Sequence, residues 1–107
     1  MSEYHEKQIR SSVTFLKRWA GANCYVWELK KSHQSLRLVL MRDQGPSNLM
    51  IALIQPTYIQ CPISWPDAQL TIEYINCAND RHIRLRDKNL GYEIKAGGFE
   101  IFENVKL

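Results

Sequence analysis

Basic side chains recur at every second position in one segment of the chain. The segment covers positions 80–95, and its alternating basic residues are His82, Arg84, Arg86 and Lys88. Ile83 and Leu85 lie between them. Because successive side chains of a β-strand point to opposite faces, the pattern predicts a strand with one basic and one apolar face. Such a row of cations could bind phosphate or carboxylate groups.

Acidic residues in the neighbouring segments give this basic face a purely structural interpretation as well. Glu73, Glu93 and Glu100 would share the face on adjacent strands. Cross-strand ion pairs contribute about 0.2–1 kcal/mol each, and charges on an exposed strand discourage aggregation. We favour this self-complementary ladder, and we keep Arg84 and Arg86 as candidate binding residues for a ligand or partner.

Weak single-stranded nucleic-acid binding through residues 82–88 is an alternative function of the same face. It would require aromatic side chains on which bases stack, next to a positive groove. Tyr74 and Tyr92 are nearby, but their parity assigns them to the apolar face. Fourteen Lys and Arg against eleven Asp and Glu give a net charge of only +3, and the charges are interspersed. We therefore expect no nucleic-acid partner.

A second candidate site is the proline-rich segment QPTYIQCPISWPD, positions 55–67. Proline lacks a backbone donor, so the segment is expected along a sheet edge or as a rigid loop rather than in a central strand. Rigid loops with aromatic residues often bind partners, which makes Tyr58 and Trp65 candidate binding residues for a protein partner or small ligand. The alternative is that both rings close the end of the core.

Catalytic and metal-binding patterns are weak throughout the chain. The histidines and cysteines are His5, His33, His82, Cys24, Cys61 and Cys77. None stands in a nucleophile or zinc motif, so we predict no catalytic residue, no metal and no cofactor. An enzyme remains an alternative, because Glu28 or Glu73 could act as an acid or base in an apolar pocket under the sheet. A filled core would favour a binding module instead.

The elements that must position these residues are mainly strands. Segments 23–29 and 36–42 predict a hairpin, and the apolar run LMIALI at 49–54 predicts a central strand covered on both faces. From position 69 onwards, apolar and polar residues alternate, with turns expected at 76–80, 88–91 and 96–98. The C-terminal half is therefore predicted to form a β-meander.

The first twenty residues fit a helix and, less well, a strand. Ile9, Val13 and Leu16 follow a helical stripe, and Gly21 is a suitable C-terminal stop. We predict a helix, whose apolar face would cover one side of the sheet. The fold class is therefore α+β, an N-terminal helix on a mainly antiparallel meander-type sheet, with a small all-β barrel or sandwich as the alternative.

The length of 107 residues predicts one domain, 1–107. The N-terminus lacks the apolar segment of a secretory signal, and no run approaches the ~20 apolar residues of a membrane span, so we expect a cytoplasmic protein that does not bind membranes.

The function favoured is a small non-enzymatic binding or accessory module for a protein partner or small ligand. Surplus apolar surface, including Phe102, Tyr58 and Trp65, predicts a homodimer, with a closed monomeric barrel as the alternative.

Overall fold

The computed structural model describes residues 3–32, 34–42, 47–77 and 80–105. Within these ranges it has one helix, α1 (Glu3–Arg18), and seven strands. The strands are β1 (Asn23–Lys30), β2 (Ser35–Met41), β3 (Asn48–Gln60), β4 (Ser64–Trp65), β5 (Leu70–Cys77), β6 (Asp80–Asp87) and β7 (Glu93–Val105). They form one antiparallel sheet in the order β4-β1-β2-β3-β7-β6-β5, which curves into a half-barrel. The predicted α+β class is confirmed.

Helix α1 forms because its apolar side chains fall on one side and pack on the inner face of the sheet. Leu16 of α1 and Trp19, the residue after the helix, are buried there, and α1 contacts β5. The buried hydroxyl of Ser12 donates to the Gln8 carbonyl at 2.7 Å, so its polarity is satisfied within the helix. Gly21 has a φ of 91°, which ends the turn after the helix. The helical interpretation of the N-terminal segment is confirmed, and none of the described helical residues form a span apolar and long enough to cross a membrane.

The predicted hairpin and central strand are both present. β1 pairs with β2, and β3 is the fourth of the seven strands. Leu49, Ile51 and Leu53 of β3 point inward and are buried. Coverage of both faces is only partial, because Ile54 on the outer side is exposed. The inner face of the sheet and the helix therefore enclose a single hydrophobic core.

Strands β3 and β7 are longer than the sequence indicated. The turn predicted at 96–98 is wrong, since β7 runs without interruption from Glu93 to Val105. Gly97 lies between the β7 partners of Ile54 and Pro56, and a Cβ there would be 3.0 Å from the Gln55 Oε1 atom. Glycine serves here for close approach rather than for a turn. β3 passes through Pro56 because β2 has ended at the Ser35–Ile54 pair, which leaves that part of β3 paired on one side only.

The C-terminal meander is confirmed in β5, β6 and β7, with the 88–91 turn between the last two. Inward-facing Ile72, Ile83 and Leu85 join the core, as their alternation predicted. Part of the predicted 76–80 turn and His33 lie outside the described residues.

Candidate binding surface

Two rows of side chains cross the outer face of β3, β7, β6 and β5. The first row follows the strand register and contains Tyr58, Lys95, Arg84 and Glu73. The second row contains Gln60, Glu93, Arg86 and Thr71. Residues directly opposite each other in a sheet share a face. The register therefore brings three of the four predicted site residues, Tyr58, Arg84 and Arg86, onto one surface.

Lys88 in the turn after β6 extends this surface. Together with Arg84, Arg86 and Glu93 it borders an open depression of about 370 Å³. We call Tyr58, Lys95, Arg84, Arg86 and Lys88 the basic face. Its depression is broad and open to solvent, so its shape suits an extended segment better than an enclosed small molecule.

Arg84 is held by two carboxylates. Its Nε donates to Glu73 Oε1 at 2.7 Å, its Nη2 contacts the same oxygen, and its Nη1 lies 3.5 Å from Glu93 Oε1. The hydrogen bond that Arg84 donates to Glu73 is the largest cause that raises the pKa of the Arg84 guanidinium. The cross-strand ladder expected from the sequence is therefore present at Arg84. Its pairs are partly exposed and individually weak.

The ladder does not neutralise the whole surface. Within the described part of the chain, Arg86 and Lys88 form no ion pair, although Arg86 lies opposite Glu93 in the strand register. Glu100, expected to join the ladder, lies opposite Ala52 of β3 instead. Four cations of the basic face thus stand against the two carboxylates of Glu73 and Glu93, leaving a local excess of positive charge.

Tyr58 supplies an aromatic ring to the same face. Its side chain is 42% exposed, and its hydroxyl donates to Gln60 Oε1 at 2.9 Å. The Lys95 Nζ atom lies 5.4 Å from the ring centroid, within the range of a cation–π contact. Sequence parity could not place this ring, because β3 has a register shift between Pro56 and Tyr58. Tyr74 and Tyr92, by contrast, pack against the core as their parity predicted.

Trp65, the fourth predicted site residue, lies inside the core. It is 5% exposed, and its ring meets Tyr92 edge-on with centroids 5.1 Å apart. Its Nε1 donates to Asp87 Oδ2 at 3.0 Å. The position corresponds to the alternative in which the ring closes the end of the core, and it separates Trp65 from the basic face.

Asp87 is the buried polar centre of this end of the core, and it was not among the residues predicted from the sequence to form a site. Its Oδ2 also accepts from the Gln69 backbone N–H at 3.1 Å, while Oδ1 accepts from Asn89 and Leu90 N–H at 2.9 and 3.0 Å. Burial by itself raises the pKa of Asp87, but these donors outweigh it and the pKa is lowered. The sequence did carry a sign of this burial, because alternation along β6 puts Asp87 on the same inward face as Ile83 and Leu85.

The residues of the enzyme alternative lie at the surface. Glu28 pairs with Lys30 at 3.2 Å, and Glu73 pairs with Arg84. The space beside Trp65 and Asp87 measures about 10 Å³, enough for at most one water molecule. Neither glutamate lines it. The wider depressions bordered by described residues are open at the surface.

Cysteine and histidine side chains supply no assembled metal site in the described residues. Cys24 is buried and Cys61 half-buried, both as free thiols, and burial raises the pKa of each. The Nδ1 atom of His82 is buried and has no hydrogen-bond partner among the side chains that the structure describes. The side chains of His5 and Cys77 lie outside those described.

Comparison of the chain with protein-family models, curated proteins and solved structures finds no match, so the function must be inferred from these surfaces themselves.

Proposed function

We propose that the protein is a small non-enzymatic binding module of the cytoplasm that binds an acidic, extended segment of a protein partner on its basic face. The observation that carries the proposal is the strand register, which sets exposed Tyr58 beside Lys95 and Arg84 and places Arg86 in the adjacent row. Carboxylates of a partner would meet cations whose charge the protein itself leaves partly unneutralised.

The filled core supports a macromolecular partner over a small ligand. Small-molecule sites are typically concave pockets of about 300–1,000 Å³ that bury most of the ligand. The inner space of about 10 Å³ offers no such pocket, and the depression of about 370 Å³ beside Arg86 is open. A partner segment lying along the sheet surface could contact both rows and use the Tyr58 ring as its apolar contact.

A fluorescently labelled peptide rich in Asp and Glu tests the proposal, with the matching Asn and Gln peptide as the neutral control. Fluorescence anisotropy should show saturable binding of the acidic peptide alone. Arg86→Glu and Lys95→Glu should each weaken it about tenfold or more. Arg10→Glu, with the same charge change on an exposed helix position, should leave binding unchanged. Equal binding of both peptides, or equal losses in all three variants, would contradict the proposal.

Single-stranded nucleic acid is a second candidate partner, because Tyr58 places an exposed aromatic ring among the cations. Labelled oligothymidine and oligouridine in the same assay distinguish it. We expect their binding to disappear near physiological salt, since the basic face can neutralise only a few phosphates. Oligonucleotide binding that survives this salt and is lost in Tyr58→Ala would favour the nucleic-acid function instead.

A further inference from the structure

The outer edge of β1 is only partly occupied. β4 pairs with Cys24 and Tyr25, and the Val26 N–H donates to the Ile63 carbonyl at 2.7 Å. From Trp27 to Lys30, no described strand pairs with this edge of β1. An unpaired strand edge presents a row of backbone donors and acceptors to which a further strand can add.

The side chains along this open edge are unusually apolar for an exposed strand. Trp27 is 47% exposed and Leu29 57% exposed. Proteins often protect such edges with charged residues, above all lysine. Lys30 does lie there, but Glu28 is two residues away on the same face, and the two side chains form an ion pair at 3.2 Å. The edge therefore carries equal and opposite charges rather than a repulsive row.

We propose that the open edge of β1 pairs with β1 of a second copy of the chain, in an antiparallel arrangement with its two-fold axis at Leu29. Residues directly opposite each other in antiparallel strands point to the same face of the sheet and have the same hydrogen-bonding pattern. Two copies of one strand meet this condition only if the two-fold axis passes through a residue, because an axis between two residues would pair side chains from opposite faces. The axis can therefore lie at Glu28, Leu29 or Lys30.

Repulsion between like charges excludes two of these three positions. An axis at Glu28 or at Lys30 would set that residue against its own copy, and like charges directly opposite each other are destabilising. An axis at Leu29 sets Glu28 of each protomer against Lys30 of the other. It also sets the two Leu29 side chains together. The edge is self-complementary in this register and in no other of the three.

The ends of the open edge agree with the same register. Regular pairing begins at Glu28, because the Val26 N–H already bonds to Ile63 and β1 has a bulge between Val26 and Glu28. An axis at Leu29 pairs Glu28 with Lys30, which is the last residue of β1. The paired segment therefore ends where the strand ends. This dimer does not rest on the proposed function, and it uses the opposite end of the strand order from β6.

Reciprocal charge reversals test the register. Glu28→Lys gives a chain with two cations at these positions, and Lys30→Glu gives one with two anions. Sedimentation equilibrium of the unaltered chain should show a concentration-dependent rise from 12.5 kDa towards twice that mass. Each variant alone should dimerise about tenfold more weakly or worse, and an equimolar mixture should recover the dimer, because Lys then faces Glu at both positions.

Two further variants keep the test decisive. Leu29→Glu, at an exposed position, sets like charges on the axis and should also give a monomer, with far-UV circular dichroism confirming the fold. Phe102→Ser changes an exposed apolar residue of β7 and should leave the dimer intact. A mass of 12.5 kDa at every concentration would overturn the proposal. So would a mixture that stays monomeric, or dimerisation that Phe102→Ser abolishes and the β1 variants do not change.

Discussion

Replacing Asp87 by alanine should strongly destabilise the fold, although Asp87 carries no ion pair among the described residues. The side chain is 1% exposed, and its two oxygens accept four hydrogen bonds. These bonds join β4 through Trp65, the start of β5 through Gln69, and the turn before β7. One carboxylate thus fastens three segments that close the end of the half-barrel.

The size of the stability loss depends on which hydrogen-bond donors lose their acceptor in Asp87→Ala. The N–H groups of Asn89 and Leu90 belong to exposed turn residues, so water can replace the carboxylate there. Trp65 Nε1 and the Gln69 N–H face the interior. A buried donor left without a partner costs about 1–3 kcal/mol, so the two donors together predict a cost of about 2–6 kcal/mol for Asp87→Ala. Total stabilities of such domains are about 5–15 kcal/mol, so much of the stability would be lost.

Urea denaturation followed by far-UV circular dichroism measures this loss. Asp67→Asn is the matched control, because Asp67 is exposed, has a φ of 52° that asparagine tolerates, and bonds the Gln69 side chain. It should change stability by less than about 1 kcal/mol. In a double-mutant cycle, Trp65→Phe should cost less in the Asp87→Ala background than alone, since its hydrogen bond is then already absent. A loss below about 1 kcal/mol for Asp87→Ala would refute the assigned role.

Three other outcomes are expected. Because the pKa of Asp87 is lowered in the folded state, the ionised carboxylate contributes its full stabilisation above the unfolded pKa of about 3.9 and loses it as pH falls through the folded pKa. The difference in unfolding free energy between the unaltered chain and Asp87→Asn should therefore become smaller below about pH 4 in urea titrations. A difference that stays constant with pH would contradict a lowered pKa. The double variant Arg84→Gln, Arg86→Gln should lose no more than about 1 kcal/mol, since its pairs are partly exposed, and a loss of several kcal/mol would mean that the outer face is buried. Peptide mapping after brief treatment with iodoacetamide should show Cys61 modified before Cys24, which is fully buried; the reverse order would place Cys24 at the surface.

The β1–β2 hairpin was predicted from the apolar and aromatic content of its strands, and β2 buries Leu38, Val39 and Leu40 in succession. Local periodicity was sufficient to predict β5 and β6, because in each strand one face is buried and the other is at least partly exposed. Ile83 and Leu85 are inward and Arg84 and Arg86 outward, as alternation requires. The same alternation could have predicted that Asp87 is buried, because Asp87 points to the same face as Ile83 and Leu85. A charged residue on an apolar face indicates a buried polar centre, but alternation alone cannot identify its hydrogen-bond donors.

Long-range pairing explains what could not be predicted. Gly97 and Gly98 are compatible with a turn and with a strand, and only the pairing with β3 shows that a side chain at position 97 would meet Gln55. Likewise, Pro56 can lie in a strand because β2 ends beside it, which depends on strand order. Tyr58 lies on the basic face just after a register shift of β3 that no local pattern records.

The two proposed surfaces are compatible because the inner face is already filled. Helix α1 and the core side chains occupy the concave side, so binding has to use the convex side or a strand edge. The basic face spans β3, β7 and β6, whereas the proposed dimer edge is on β1, on the other side of β2. Dimerisation through β1 would join two sheets and present two basic faces in one particle. A partner with two acidic segments would then bind by avidity, which can exceed single-site affinity by about 10²–10⁴-fold. Glu28→Lys should abolish that gain while leaving the affinity for a single acidic peptide unchanged, because Glu28 lies outside the basic face.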